Sequence, residues 1–163
     1  MLNPDMYIIA YERIKNNSGA LTKGTDEETL DGFSRTKINE IIQKLKDHTY
    51  NFKPIRRVYI PKKNGKMRPL GIPGPSDKIV QTVMTIILEA IYDNEKRPVF
   101  LETSHGFRRG RGTHTALKAI SHWIETDWYI EGDIEAYFDT VNNKILEKIL
   151  LETIQDQQFI DLY

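Results

Sequence analysis

The chain has 163 residues, of which 39% are hydrophobic and 28% are charged, and its formal net charge is zero. This composition predicts a soluble globular domain with one core and excludes a disordered tail. The absence of cysteine excludes disulfides and cysteine-based zinc sites. No apolar run is long enough for a membrane span, and the N-terminal residues lack the layout of a secretory signal.

Two helices are predicted in the first half of the chain from capping residues and apolar periodicity. Ser34 precedes apolar residues at helical spacing, which predicts a capped helix from about Arg35 to Asp47. After a Gly-Pro-rich break, Ser76 or Asp77 is expected to cap a second helix that is the central packing element. The apolar face of the second helix comprises Ile79, Val80, Val83, Ile86, Ile87, Ala90 and Ile91.

A β-hairpin is predicted between these two helices. Residues 55–61 and 67–72 read as strands, and they flank Asn64-Gly65, a pair that favours a tight hairpin turn. Lysine supplies a point charge and arginine supplies paired donors, so cations near such a turn suit a triphosphate. The alternative is a lysine-rich hairpin kept soluble. The cations near the turn are Lys62, Lys63 and Arg68.

The second half of the chain is predicted to begin with an arginine-glycine loop, residues 106–112, which leads into a helix starting near Thr113. A strand is predicted over residues 128–134 from their β-branched and aromatic character. Asn142 and Asn143 are expected to cap a last helix. The residues predicted to face inward from the helix after the loop are Ala116, Leu117, Ile120, Trp123 and Ile124.

Charge is distributed unevenly along the chain although it sums to zero. Residues 53–76 include cations but no Asp or Glu, a second basic cluster follows at 108–111, and acidic residues dominate from Glu125 onward. This pattern fits a polyanion track leading to a metal-binding pocket, and the alternative is an ordinary solvated surface. The cations expected to contact the polyanion are Arg56, Arg57, Lys63, Arg108, Arg109 and Arg111.

The segment YIEGDIEAYFD, residues 129–139, sets a carboxylate at the end of an apolar run. Gly132 lets another backbone or a ligand approach closely just before Asp133. Mg²⁺ usually binds through one or two carboxylates plus substrate phosphates, so Asp133 is a chemically sensible half of a two-metal centre. The alternative is that Asp133 and Asp139 are solvated turn residues that flank the start of a helix. Asp139 is expected to have a structural role, as a helix cap.

Four blocks, in their order and spacing, resemble those of reverse transcriptases encoded by group II introns. The blocks are residues 19–34 (GALTKGTDEETLDGFS), 62–73 (KKNGKMRPLGIP), 104–117 (SHGFRRGRGTHTAL) and 131–139 (EGDIEAYFD). The resemblance implies an α+β fold, mostly helical, with reverse-transcriptase fingers and the first part of a right-hand palm, including a β-hairpin and a palm strand. It implies a fingers region with the N-terminal extension block in residues 1–102, and a fingers-to-palm region with the first catalytic block in residues 103–163.

The same resemblance implies a metal-dependent nucleotide site. Asp133 would be the catalytic ligand of Mg²⁺, and the backbone carbonyl of Ile134 would help to bind one metal ion. Lys62 and Arg68 match the family residues that contact the nucleotide phosphates. The loop arginines 108–111 match a block that lies along the path of template and primer.

The residues after Asp133 are expected to complete the nucleotide pocket. Amides of residues 135–138 would line the triphosphate, and Phe138 matches the family's bulky residue beneath the sugar, with a core aromatic as the alternative. Arg109 stands where the family usually has proline, so a more basic loop is expected. The expected nucleotide-binding residues are Lys62, Arg68, Ile134, Glu135, Ala136, Tyr137 and Phe138.

The family supplies its other carboxylates from a later Y-A-D-D-like block, which this sequence does not contain. The chain is therefore expected to be part of a longer protein and not to polymerise alone. The parent is expected to be an RNA-directed DNA polymerase that also binds intron RNA to assist splicing and mobility. The alternative is a maturase, an RNA-binding splicing cofactor without polymerase activity.

The resemblance also implies partners and a compartment. The expected partners are intron RNA, an RNA template, a DNA primer and dNTPs, with no membrane, and a homodimer remains open. The expected compartment is the bacterial cytoplasm or, as the second choice, an organelle matrix.

Overall fold

Packing divides the chain into two units, residues 1–88 together with Leu162, and residues 89–161. The structure, a computed structural model, describes residues 1–63, 65–94 and 97–162. The described residues combine helices with short antiparallel strands, in agreement with the predicted α+β class. The helices are α1 (Pro4–Ile14), α2 (Arg35–Lys46), α3 (Pro75–Tyr92), α4 (Thr113–Ile120), α5 (Tyr137–Thr140), α6 (Asn143–Leu151) and α7 (Gln157–Asp161), and the strands are β1 (Arg56–Pro61), β2 (Met67–Ile72), β3 (Asp93–Asn94) and β4 (Arg97–Pro98).

Capping side chains define where α1 and α2 begin. The Asn3 side chain accepts a hydrogen bond from the Asp5 amide at 2.9 Å, and proline occupies the first position of α1. Ser34 Oγ accepts from the Lys37 amide at 3.4 Å. Each side chain satisfies an amide that has no partner inside the helix. The predicted start of α2 is thus confirmed.

Helix α3 is the centre of packing in the first unit, as predicted. Four of its residues, Pro75, Ile79, Val80 and Val83, are fully buried. The helix begins at Pro75, slightly before the expected caps, because proline is well accommodated in the first turn. The other buried apolar residues of this unit are Tyr7, Ala10, Ala20, Leu30, Ile38, Ile41, Ile42, Leu45 and Met84.

Asp77 ties the segment before the hairpin to α3 instead of capping the helix. Its carboxylate accepts from the Tyr50 hydroxyl at 2.7 Å and from the Lys53 amide at 3.0 Å. Burial raises the pKa of Tyr50, and the hydrogen bond to Asp77 raises it further. The buried carboxylate is therefore satisfied by two donors from the chain that leads into β1.

The hairpin forms in the predicted place, with β1 and β2 antiparallel from Arg56 opposite Ile72 to Pro61 opposite Met67. Its turn is closed by a hydrogen bond from the Lys62 amide to the Lys66 carbonyl at 2.7 Å. Gly65 has φ +78°, in the left-handed region that glycine tolerates best. The other residue of the predicted turn pair, Asn64, lies outside the described residues.

The second unit departs most from the sequence prediction. The strand expected over residues 128–134 is wrong, because these residues adopt no regular secondary structure. A strand needs a neighbour to take its backbone hydrogen bonds, and no strand pairs with this segment in the part of the chain that is described. Trp128 is 87% exposed and Ile130 is 92% exposed.

Helix α4 begins at Thr113 as predicted, but its apolar residues do not face a core. Leu117 and Ile120 of α4 are exposed, and so are Trp123 and Ile124, which lie beyond the end of the helix, so the inward orientation predicted for these four residues is wrong. Periodicity identified the helix correctly, since an amphipathic pattern predicts the helix but not what its apolar face contacts.

Three residues near the end of the second unit were predicted as caps, and one of them is confirmed, since Asn143 is itself the first residue of α6. Asn142 accepts from the amides of Lys144 and Ile145 at 3.1 and 3.3 Å and begins α6. Asp139 is not a cap, because it lies inside α5 and makes no side-chain capping bond there. The small core of this unit comprises Leu150, Ile154, Phe159 and Ile160.

Candidate functional site

The hairpin brings Lys62 and Arg68 to one of its faces. Residues directly opposite each other in an antiparallel pair share a face, and Arg68 is opposite Ile60. Lys62 follows Ile60 by two residues and therefore continues the same face. Both cations are exposed, and neither side chain has a hydrogen bond or ion pair within the described part of the chain. We call the side of the hairpin that carries Ile60, Lys62 and Arg68 the Lys62 face. Its two cations suit the negatively charged phosphates of a nucleotide.

Arg56, at the base of the hairpin, donates hydrogen bonds to another part of the same chain. Its Nε and Nη2 donate to the carbonyl of Lys23 at 3.0 and 2.9 Å. Thr25 Oγ1 donates to the Pro54 carbonyl at 3.0 Å nearby. Arg56 was predicted to contact RNA, but its guanidinium anchors residues 19–27 to the hairpin.

Residues 19–27, which lie within the N-terminal extension block, also pack tightly against the start of α3. A Cβ built on Gly24 would lie 2.8 Å from the Gly74 backbone, so only glycine fits without a shift. Lys78 Nζ donates to the carbonyls of Gly19 and Thr22 at 3.0 and 2.8 Å. Burial lowers the pKa of Lys78. Backbone carbonyls thus stabilise this partly buried ammonium group.

An ion pair joins the same block to the residues before β1. Lys53 Nζ lies 3.0 Å from Asp26 Oδ2. Burial acts to raise the pKa of Asp26, but the hydrogen bond and charge of Lys53 lower it below its usual value. The base of the hairpin is therefore fixed from two directions, whereas the side chains of Lys62 and Arg68 are left free for a ligand.

Arg108 is the most engaged side chain in the basic loop, residues 99–112. Its Nε and Nη2 donate to Asp93 Oδ1 at 2.9 and 2.6 Å, and Nη1 donates to the carbonyls of Leu101 and Ser104 at 3.1 and 3.0 Å. The guanidinium also lies 5.3 Å from the centroid of the Phe100 ring. Only 14% of the Arg108 side chain and 15% of the Asp93 side chain are exposed.

These contacts change the expected role of Arg108. Its hydrogen bonds lower the pKa of the Asp93 carboxyl group. The sequence pattern predicted that Arg108 binds template phosphates, but its guanidinium is used to hold the loop together. The signal that sequence reasoning missed is Asp93, which lies outside the predicted block and within a two-residue strand.

The other two arginines of the loop differ from each other. Arg111 Nη1 donates to the carbonyl of Glu102. Arg109 is exposed and has no hydrogen bond or ion pair to any residue that the structure describes. Of the three arginines predicted here, Arg109 is thus the one whose whole guanidinium faces solvent.

The segment around Asp133 is open to solvent. Asp133 and Ile134 are exposed, and Glu135 and Ala136 form a turn that leads into α5. Ala136 adopts φ 50°, an uncommon value for a residue with a side chain. Phe138 is 84% exposed, so this chain does not bury it as a core aromatic.

The donors near Asp133 fit one part of a magnesium site. Asp133 supplies a carboxylate and Ile134 a backbone carbonyl, both oxygen ligands of the type that Mg²⁺ takes. Mg²⁺ requires near-octahedral coordination, and the described residues contain no group of three or more His, Asp or Glu side chains that could hold a metal ion. A two-metal centre at Asp133 would therefore need further ligands, beyond those that the described residues bring together.

The predicted nucleotide site draws on both units. Lys62 and Arg68 belong to the first unit, and the residues from Asp133 to Phe138 belong to the second. The nucleotide pocket as a whole therefore stays a prediction. A pocket of about 420 Å³ in the second unit is lined by Asn143, Glu147, Ile160 and Asp161, and it includes none of the predicted site residues.

Comparison with known proteins relates the chain to polymerases and intron proteins. The family described as reverse transcriptase (RNA-dependent DNA polymerase) matches residues 60–162. The group II intron-encoded protein LtrA of Lactococcus lactis subsp. cremoris is 48% identical over 164 residues, covering 99% of this chain and 27% of LtrA. The uncharacterized 91 kDa protein in cob intron of Schizosaccharomyces pombe is 47% identical, covering 99% of this chain and 20% of that protein.

A plant relative matches over a shorter stretch. Nuclear intron maturase 2, mitochondrial, of Arabidopsis thaliana is 34% identical over 87 residues, covering 53% of this chain and 11% of that protein. These matches confirm the resemblance to group II intron-encoded proteins. The chain spans about a quarter of the length of LtrA. None of the described helices is both long and apolar enough to cross a membrane.

Proposed function

Because the chain belongs to the reverse transcriptase family, we propose that it is part of an RNA-directed DNA polymerase encoded by a group II intron. We propose further that the parent protein binds intron RNA and assists splicing and mobility. The reaction is template-directed transfer of a nucleotide to a primer 3′-hydroxyl. Such phosphoryl transfer needs positioning and charge neutralisation more than covalent help from the protein.

The observation that carries this proposal is that Lys62 and Arg68 both lie on one exposed face of the hairpin. A triphosphate carries several negative charges, and two cations without a competing carboxylate attract it strongly. Lys62 contacts it as a point charge, and Arg68 contacts it through paired N–H donors. These are the roles that we assign to the two side chains.

Asp133 and the carbonyl of Ile134 are proposed as part of the ligand set of Mg²⁺, completed by carboxylates that the described residues do not supply. When bound, the metal would neutralise the triphosphate charge and polarise the attacking hydroxyl group. Glu135, Ala136 and Tyr137 are proposed to line the triphosphate through their amides. The exposed ring of Phe138 is proposed to lie beneath the sugar and to reject a 2′-hydroxyl by steric exclusion.

The present chain is proposed to bind nucleotides and RNA without polymerising. A single exposed carboxylate at Asp133 does not make a two-metal centre. Primer extension by this chain should therefore equal that of the Asp133→Ala variant. Extension by the wild-type chain above that background would contradict the proposed incompleteness of the metal site.

The second candidate function is RNA-binding splicing assistance without polymerase activity. The plant relative supports it, since its name is that of a maturase, and RNA binding requires a basic surface but no metal carboxylate. Triphosphate binding separates the two candidates, because a pure splicing cofactor has no use for a nucleotide site on the Lys62 face.

The proposal is tested by titrating the chain with a fluorescent deoxynucleoside triphosphate. Lys62→Ala and Arg68→Ala should each weaken binding about tenfold, since each removes a charge-assisted contact. Lys44→Ala is the matched control, because it removes an exposed lysine on α2 that has no predicted role. Thermal unfolding of each variant verifies that the fold is intact.

Two outcomes would reject the polymerase proposal. In one, the wild-type chain fails to bind the triphosphate at low salt. In the other, Lys44→Ala weakens binding as much as Arg68→Ala, which indicates attraction to net charge and not to a site. Salt-dependent binding to RNA with no triphosphate binding would instead favour the splicing cofactor.

The remaining partners follow from the same proposal. We assign intron RNA, an RNA template, a DNA primer and dNTPs as ligands of the parent protein. The relatives come from a bacterium, a yeast and a plant, and the name of the plant protein places it in mitochondria. The proposed compartments are therefore the bacterial cytoplasm and an organelle matrix.

A further inference from the structure

The hairpin has a second face, opposite the Lys62 face. Side chains alternate along a strand, so Arg57, Tyr59 and Pro61 of β1 lie on this side. Tyr59 is paired with Pro69 and Pro61 is paired with Met67 across the hairpin. We call these five residues the Tyr59 face. Tyr59 is 58% exposed and Met67 is 54% exposed, so an aromatic ring and its apolar neighbours meet solvent.

The Tyr59 face is positively charged. Arg57 lies at one end of β1, and Lys63 follows at the turn beyond the other end. Both are exposed and neither side chain has a partner among the described residues. No Asp or Glu occurs between residues 53 and 76. The electrostatic potential therefore favours a polyanion over an acidic or neutral partner.

The edges of the hairpin disfavour a protein strand as the occupant. Pro61 lies in β1 and Pro69 lies in β2, and neither has an N–H to donate to an added strand. Lysines near the turn discourage edge-to-edge pairing as well. A ligand of this region is thus expected to use the faces of the hairpin, where side chains are presented, and not its backbone edges.

We propose that the Tyr59 face binds single-stranded RNA. A base stacks on the Tyr59 ring, and Arg57 and Lys63 contact phosphates on either side. Aromatic rings that stack bases, combined with cations that follow the backbone, are the general mode of single-strand binding. Arg57 and Lys63 are six residues apart, roughly 20 Å along an extended strand, so the RNA must lie along β1 to contact both.

This inference rests on the proposed function, because it takes RNA as the ligand, and it adds the stacking residue and the orientation. The nucleotide triphosphate and the RNA strand then occupy opposite faces of one hairpin. Tyr59 was not among the predicted site residues. It is identified by its exposure together with the register of β1 and β2, neither of which the sequence alone provides.

The test compares two RNA probes that carry the same number of phosphates, an oligoadenylate and an abasic oligoribonucleotide. Wild type should bind the oligoadenylate about tenfold more tightly, since stacking requires bases. Tyr59→Ala should remove most of the preference for the oligoadenylate and leave the affinity for the abasic probe nearly unchanged. Tyr59→Phe, which keeps an aromatic ring, should retain the preference. Ile60→Ala is the matched control, because Ile60 is the neighbouring exposed residue on the other face.

The outcomes distinguish this inference from the proposed function. Equal, salt-dependent binding of both probes by wild type overturns the stacking inference and leaves RNA binding intact, and this comparison requires no variant. No salt-dependent binding of either probe overturns both. If Tyr59→Ala changes the oligomeric state and not RNA affinity, the face contacts a second copy of the chain and the inference is wrong.

Discussion

The hairpin of residues 56–72 and the loop of residues 99–112 both carry clustered cations beside glycines, but they use them in opposite ways. Near the hairpin turn, Lys62 and Arg68 are exposed and have no side-chain partner in the described residues. In the loop, Arg108 donates to Asp93 and to two backbone carbonyls. A basic motif therefore does not by itself indicate a phosphate contact; the partners within reach decide its role.

The difference has a simple origin in charge. The hairpin lies in a segment without any Asp or Glu, so its cations have no carboxylate close by in the sequence, and Arg56 donates to a backbone carbonyl, that of residue 23. The loop follows Asp93, whose carboxylate binds the nearest suitable guanidinium. We expect the cations of the hairpin to bind ligands and Arg108 of the loop to stabilise the fold.

The largest effect that separates the two regions is expected from Arg108→Ala. It leaves the mostly buried carboxylate of Asp93 without its arginine donor and removes one donor from each of two loop carbonyls. The melting temperature should fall by about 5 °C, and hydrogen exchange in residues 99–112 should accelerate. Arg109→Ala is the matched control, because it removes an exposed arginine from the same loop, and it should leave both quantities unchanged. Equal destabilisation by the two variants would contradict the holding role of Arg108.

The second effect concerns the salt dependence of RNA binding. Each cation that contacts single-stranded RNA adds about 0.7 to the slope of log affinity against log salt, so Arg57→Ala combined with Lys63→Ala should flatten the slope by about 1.4. Arg108→Ala, measured at a temperature where it remains folded, should leave the slope unchanged. The comparison fails if Arg108→Ala flattens the slope as much as the hairpin double variant does.

The third effect is a pH dependence of stability. Hydrogen bonds from Arg108 lower the pKa of Asp93 in the folded protein below its usual value of 3.8. This carboxylate therefore stabilises the fold above pH 3.8, and the contribution is lost as pH falls through the lower folded-state pKa. At neutral pH, Asp93→Asn should have a lower melting temperature than the wild type. The difference between the two melting temperatures should become smaller in acid. A gap that stays constant from neutral to acidic pH would argue against this ion pair.

The smallest effect should come from Arg56, the exception within the hairpin. Because its guanidinium donates to the Lys23 carbonyl, Arg56→Ala should alter RNA affinity less than Arg57→Ala does. It should lower stability by about 1 kcal/mol, the typical worth of such hydrogen bonds. Fluorescence anisotropy with an oligoribonucleotide and urea unfolding measure the two quantities. A larger loss of RNA affinity for Arg56→Ala than for Arg57→Ala would place Arg56 among the ligand contacts.

Capping residues and side-chain alternation predicted helices and strands well where neighbouring residues in the sequence are enough to form them. Ser34 and Asn142 cap helices as expected, and the hairpin strands lie where alternation predicted them. The strand predicted over residues 128–134 is wrong, because a strand depends on a partner and none pairs with it in the described residues. The candidate site divides in the same way. Residue types and spacing identified Lys62, Arg68 and Asp133 as candidates, but not which cations the chain itself would engage.

By itself the sequence determined the family resemblance, the capped helices, the hairpin and the uneven charge, because these depend on residue order, side-chain type and spacing. The tertiary structure decided which cations are free. The approach of Asp93 to Arg108 joins residues 15 apart, and the approach of Lys23 to Arg56 joins residues 33 apart. It also decided, through the pairing of β1 with β2, that Arg68 shares a face with Lys62 and that Pro69 lies beside Tyr59. Contacts at such separations depend on how the chain folds back on itself, which no local pattern specifies.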